Sequence, residues 1–189
     1  MLKSSKKYSI LSKISKKIKD ENVVDILLFG SFVKGKIDPG DIDIAVIFRD
    51  KIGLELINRL SKSYEKEGFN AHISSLTADN FFIKPHSLIR AVFFEGVSLL
   101  TDKPVAENYG LASWSIYNYN LTGLEKSKRV RFVYTLKGRG KEKGLIDEFK
   151  GRFLAPGCFI IPLDKDDEVL GVLKKWKVRF ERNKCMLMR

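Results

Sequence analysis

Two apolar runs of seven residues, Val23–Phe29 and Ile42–Phe48, most constrain what this chain can fold into. Both are short, bounded by turn residues and rich in Val, Ile, Leu and Phe, so each reads as a buried strand. The first stops at Gly30-Ser31, and Asp38-Pro39-Gly40 makes a strong turn signal ahead of the second. Around the second run the pattern turns unusual, because Asp41 and Asp43 flank Ile42. Period-two geometry points both carboxylates to one face, with Ile42 and Ile44 facing the other way into a core. Two adjacent carboxylates repel unless a cation sits between them. On an otherwise apolar strand they are costly without such a partner. A Mg²⁺ ion held by one or two carboxylates and by nucleotide phosphates satisfies both demands.

Gly30-Ser31 complements that pair. A short helix is expected to begin at Ser31 and to end near Gly35. Its amino-terminus would offer free N–H donors and the positive end of a dipole to a phosphate. Glycine allows close backbone approach, and the serine hydroxyl adds a donor. Lys34 and Lys36 lie in the following spacer, where each is either a phosphate contact or a solvated loop lysine.

Leu28-Phe29-Gly30-Ser31-Phe32-Val33-Lys34-Gly35 through Asp41-Ile42-Asp43-Ile44-Ala45-Val46 resembles the core motif of the DNA polymerase beta-like nucleotidyltransferase superfamily, in particular its small, single-domain members. The resemblance covers roughly residues 20–100. It implies an α+β fold with a nucleotidyltransferase-type mixed sheet and flanking helices. It further implies that Gly30, Ser31 and Lys34 bind a nucleoside triphosphate, and that Asp41 and Asp43 bind Mg²⁺ (or Mn²⁺) and are catalytic. Gly40 stands where the small members usually carry serine.

The family also places a third carboxylate on the strand after the first long helix. Here that strand reads Phe69-Asn70-Ala71-His72-Ile73-Ser74-Ser75-Leu76 and has no acid. His72 matches the position, with Asn70 and Ser74 on the same face. An imidazole can accept a proton or ligate a metal, but it brings no negative charge. Three roles stay open for it: a substitute general base, a mark of a site that binds nucleotide without transfer, or an ordinary strand histidine. Asp79, in an expected short helix, and Asp25, expected at a solvated or edge position, are weaker acids for the role.

The remaining elements follow from periodicity and punctuation. Tyr8, Leu11, Ile14 and Ile18 form one apolar stripe on a helix over residues 2–20. A second helix spans 51–67, stopped by Gly68. Thr77 is placed to cap a short helix over 78–82, and Pro85 opens another that ends at Gly96. The domain boundary is set within Thr101–Gly110, giving units 1–103 and 104–189. The second unit is expected to be a small α+β domain with strands at 114–121, 157–163 and 178–188 and helices at 125–137, 145–149 and 164–176. Its last strand reads as a sheet edge guarded by charge.

Charge divides unevenly. Residues 1–103 hold 17 Lys and Arg against 13 Asp and Glu, and residues 104–189 hold 18 against 10, within a chain of net charge +12. Such an excess favours a polyanionic partner, nucleic acid first. RNA or DNA is expected to meet the basic second half, with Lys137–Gly144 tracking phosphates and Tyr117 and Tyr119 either stacking bases or packing on the sheet. No apolar run approaches the roughly 18 residues of a membrane span, and no secretory leader is read. Cys158 and Cys185 make neither a disulfide framework nor a zinc spacing, so the expected setting is cytoplasmic. The sequence carries no reading of oligomeric state. Two further functional expectations stand beside transfer to RNA: a transfer-deficient fold acting in nucleic-acid binding, and antitoxin-like nucleotidylation of a protein.

Overall fold

The structure, a computed structural model, describes residues 6–34, 40–82 and 87–188. It contains two compact units, Met1–Gly110 and Leu111–Arg189.

The first unit runs α1 (Lys6–Lys16), β1 (Val23–Phe29), β2 (Ile42–Phe48), α2 (Leu54–Lys66), β3 (Ala71–Thr77), α3 (Ala78–Phe82), α4 (Ser87–Glu95) and β4 (Val97–Ser98), then a 3₁₀ turn over Val105–Tyr109. Its sheet has the order β3-β2-β1-β4. β1 pairs antiparallel with both β2 and β4, and β2 pairs parallel with β3. The sheet is mixed and flanked by helices, as the α+β reading expects. The two apolar runs form its interior because both of their faces are covered, which demands near-continuous hydrophobicity. On one face Ile26, Leu28, Ile42, Ile44, Val46 and Phe48 pack with Leu11, Leu56, Leu60 and Tyr64 of α1 and α2. On the other, Leu27, Phe29, Ala45 and Ile47 pack with Phe81, Ile89 and Val92 of α3 and α4. Tyr64 is wholly buried, and its hydroxyl meets Ser15 Oγ at 2.7 Å. Burial pushes that phenol up to about 12, against the lowering effect of the Ser15 bond. Thr77 Oγ1 accepts the Asn80 N–H at 3.3 Å, the expected cap of α3.

The second unit contains β5 (Leu111–Asn120), α5 (Lys126–Lys137), α6 (Leu145–Glu148), β6 (Arg152–Ala155), β7 (Cys158–Pro162), a 3₁₀ turn over Leu163–Lys165, α7 (Asp166–Lys175) and β8 (Arg179–Met188). Its antiparallel sheet has the order β6-β7-β5-β8, which makes the charged β8 an edge as expected. Phe132, Leu136, Ile146, Val169 and Leu173 of the helices pack on Tyr117, Phe159 and Ile161 of the strands. β6 escapes sequence reading, although Pro156-Gly157 announces the turn that joins it to β7. Its exposed, short run offers no apolar periodicity. Tyr117 is fully buried, and Tyr119 packs at 5.6 Å from Phe132 between ring centroids. Burial closes the base-stacking alternative to Tyr117, and Tyr119 is half-buried against the core, the packing alternative of the sequence reading. No helix among the described residues is long and apolar enough to cross a membrane.

Candidate nucleotide and metal site

The site forms at one end of the first sheet, where β1 stops and β2 starts. Register places Asp43 opposite Phe29 on β1 and opposite His72 on β3. The chain therefore leaves β1 at Gly30 directly beside the Asp43 carboxylate. Gly30 has φ +76°, and a Cβ there would overlap the Asp43 carboxyl group. Glycine is required at residue 30 on both counts: left-handed backbone and close approach. Ser31 follows, half-buried, and Phe32 anchors the turn in the core at 5% exposure.

Residues 31–34 form a turn, and no helix is present between Gly30 and Lys34. The expected helix dipole at Ser31 is thus replaced by turn N–H groups. The physical reason is the Phe32 anchor and the span: few residues separate two glycines, too few to repay helix nucleation. The expected helix end at Gly35, and Lys36, lie outside the described residues. Lys34 is within them, and its Nζ pairs with Glu95 Oε2 of α4 at 3.0 Å. Glu95 is a partner that sequence reasoning missed; nothing in the spacing between residues 34 and 95 signals it.

Asp41 stands one residue before β2 and is exposed. Asn70, the residue before β3, holds it: the Asn70 side-chain amide donates to Asp41 Oδ1, and the Asn70 carbonyl accepts the Ile42 N–H at 2.9 Å. Asn70 had been read only as sharing the face of His72; the structure makes it the partner of Asp41. Asp43 keeps 34% of its side chain exposed, and Ile42 and Ile44 are buried behind it. His72 Nδ1 lies 3.9 Å from Asp43 Oδ1, with the imidazole 75% exposed. Asp41, Asp43 and His72 thus line one mouth of the sheet. Among the described residues no group of three or more His, Cys, Asp or Glu is close enough to hold a metal ion. The donor set is two carboxylates with an outlying imidazole. That set fits one hard cation whose other ligands are water and phosphate. It does not by itself supply a second cation site.

The alternative acids are elsewhere. Asp79 is exposed on α3. Asp25 corrects the expectation of a solvated or edge position. It sits on the interior strand β1, half-buried, and accepts Ser98 Oγ–H at 2.7 Å and the Ile26 N–H at 2.8 Å. Burial raises its carboxyl, opposed by those two bonds. It pairs with Ile47 toward the far end of the sheet from Gly30.

Residues 12–103 match the model of the family described as polymerase beta, nucleotidyltransferase, and the first unit is a nucleotidyltransferase domain of that family. A crystal structure of a toxin–antitoxin with AMP-PNP is similar at 21% identity over 49% of this chain and 71% of that one, with a TM-score of 0.38. A structure of a tri-AMPylated Shewanella oneidensis HEPN toxin in complex with MNT antitoxin is similar at 22% identity over the same shares, with a TM-score of 0.35. Comparison with curated proteins gave no match.

Proposed function

We propose that the first unit is a metal-dependent nucleotidyltransferase that moves a nucleoside monophosphate from a nucleoside triphosphate to an acceptor, with RNA as the acceptor class. The observation that carries this reading is the contact between the Gly30 turn and Asp43, two residues from Asp41. That contact supports a reading in which the turn meets phosphates beside an anionic pair. In the reaction an acceptor oxygen attacks the α-phosphorus, the bond to the β-phosphate oxygen breaks, and pyrophosphate leaves. The acceptor's proton passes to His72 or to water. Ser31 and the turn N–H groups hold the triphosphate, and Asn70 keeps Asp41 turned toward the mouth. Asp41 and Asp43 would hold Mg²⁺ or Mn²⁺, which supplies charge neutralisation to the phosphates. Positioning and charge carry most of such a transfer.

The test is incubation with α-labelled nucleoside triphosphates, Mg²⁺ or Mn²⁺, and RNA or protein acceptors. Label should appear on the acceptor, and Asp41→Asn or Asp43→Asn should lower the rate about 100-fold or more, the loss expected when a charge-stabilising group is removed. Absence of transfer by the folded protein to every acceptor would refute it. The lack of a third carboxylate favours one second reading: a domain that binds nucleotide and one metal without transfer. Calorimetric binding of a non-hydrolysable triphosphate with Mg²⁺, without turnover, is its signature.

A further inference from the structure

The second unit contains a groove of about 530 Å³ between α5, the loop that follows it and Trp176. We infer that this groove, lined by Arg131, Tyr134, Arg139 and Lys143, binds single-stranded RNA by clasping its phosphates and stacking a base. The site deepens the reading above, since it would present the acceptor, but its binding is measurable without any transfer.

Charge concentration is the first support. Residues 125–143 hold eight Lys and Arg against Glu125 and Glu142, half of the formal net charge of +12. α5 carries Lys126, Lys128 and Arg129 at its amino-terminal end and no acid in its first turn. Cations there oppose the helix dipole and cost stability. α7, in the same unit, is ordered the other way, with Asp166, Asp167 and Glu168 first and Lys174 and Lys175 last. Glu125 at the N-cap of α5 offsets part of that cost, pairing with Lys128 at 3.6 Å, and Arg129 Nε donates to the Leu124 carbonyl at 2.6 Å; the cations at the groove itself are Arg131, Arg139 and Lys143. Helical spacing puts Lys128 one turn above Arg131 on the row that leads to Tyr134 and Thr135. Not every cation joins: Lys137 Nζ sits over the Phe153 ring at 5.0 Å from its centroid.

The second support is the built shape. Gly138 has φ +83°, and it and Gly144 pass so closely that a Cβ on either would overlap main-chain atoms of the other segment. The loop is therefore pinned at its base, and Arg139 and Lys143 project from a fixed frame. The Arg139 guanidinium lies 5.5 Å from the centroid of the Tyr134 ring. Tyr134 remains exposed, and Trp176 is braced from behind by Phe132 at 5.7 Å. Aromatic rings and guanidinium planes are the surfaces on which unpaired bases stack.

The groove also holds Glu142 and Glu148. They disfavour a featureless polyanion, yet a carboxylate accepts hydrogen bonds from base amino groups. That mixture points to a nucleic acid with accessible bases over a duplex backbone or an acidic protein.

Fluorescence anisotropy of the full chain with a labelled single-stranded RNA of about 16 nucleotides tests this. Binding should weaken with salt, and the double variant Arg131→Ala/Arg139→Ala should flatten the log–log salt slope by about 1.4, from two lost phosphate contacts. Tyr134→Ala should weaken binding about tenfold or more, and Tyr134→Phe should retain it, as stacking requires. The pair at Tyr134 keeps the test decisive should the double variant fold poorly. Lys62→Ala/Lys66→Ala, which removes equal charge from α2, should leave affinity within about twofold, since neither residue lines the groove and only contacted phosphates release counterions. Asp41→Asn/Asp43→Asn should bind RNA normally, so failure of transfer and failure of binding are read separately. Three outcomes overturn the inference: no binding at about 0.1 M salt, equal loss from the α2 control, or displacement of RNA by inorganic polyphosphate or polyglutamate at equal charge.

Discussion

The first unit's site carboxylates and the carboxylate at the head of α7 receive opposite treatment. Asp166 in the second unit is buried and fully engaged: Tyr117 OH donates to Oδ1 at 2.6 Å, and Arg182 Nη1 donates to Oδ2 at 2.9 Å. Burial, then the bond to Asp166, raises the Tyr117 phenol, with Arg182 opposing. Asp102 in the first unit follows the same rule, accepting from Tyr8 at 2.9 Å and Ser12 at 2.8 Å and pairing with Lys16. Among the described residues, Asp41 accepts from one amide donor, and Asp43 has an imidazole at 3.9 Å. A fold that satisfies Asp166 and Asp102 this thoroughly gives the Asp41–Asp43 pair few partners among the described residues, with the Gly30 turn against Asp43. The difference separates acids that hold the chain together from the pair proposed above to take a cation.

The comparison breaks most visibly at Asp166. Asp166→Ala should cost about 2–3 kcal/mol in urea unfolding, less than the roughly 3–5 of a fully buried pair because Arg182 is partly exposed. Asp43→Asn should leave stability unchanged or improve it, because it relieves carboxylate repulsion. A destabilising Asp43→Asn would abolish the distinction. His72→Asp sharpens the contrast by restoring a third acid opposite Asp43. Mg²⁺ binding, measured by titration calorimetry, should tighten about tenfold as ligand charge increases; unchanged affinity would place residue 72 outside the metal's reach.

The smallest effect belongs to Lys16. Burial pushes the Asp102 carboxyl up, but Lys16, Ser12 and Tyr8 together hold it below its ordinary value. A lowered folded pKa contributes stability above the unfolded value of about 3.9, lost as pH falls through the folded pKa. Lys16→Ala should therefore cost about 0.2–1 kcal/mol at pH 7, as partly exposed pairs do. The gap from the parent should close on acidification below that range, as followed by urea unfolding at stepped pH.

Legibility was uneven for physical reasons. β1 and β2 were readable to the residue, because strands covered on both faces need near-continuous apolar runs, here interrupted once each, by Asp25 and Asp43. The Gly30-Ser31 and Asp41, Asp43 elements were readable as residue types that interior strands otherwise exclude. The turn at residues 31–34 was misread as a helix, since a turn and a helix start can share the same glycine and serine. Asp25 was misplaced because a single carboxylate on a strand carries no mark of a buried partner; Ser98, which accepts that role, is 73 residues away. β6 was missed because an exposed four-residue strand takes its order from β7, not from its own pattern.

The sequence by itself determined the alternation within β2 that buries Ile42 and Ile44 and leaves Asp43 between them partly exposed, since strand period is a local property. It also determined that the second half is cationic. Only the tertiary structure decided that Gly30 lies against Asp43, that Asn70 secures Asp41, that Lys34 belongs to Glu95, and that Tyr134 rather than Tyr117 is open to a ligand. Those outcomes depend on strand register and on which face each helix covers, long-range choices that no local pattern encodes.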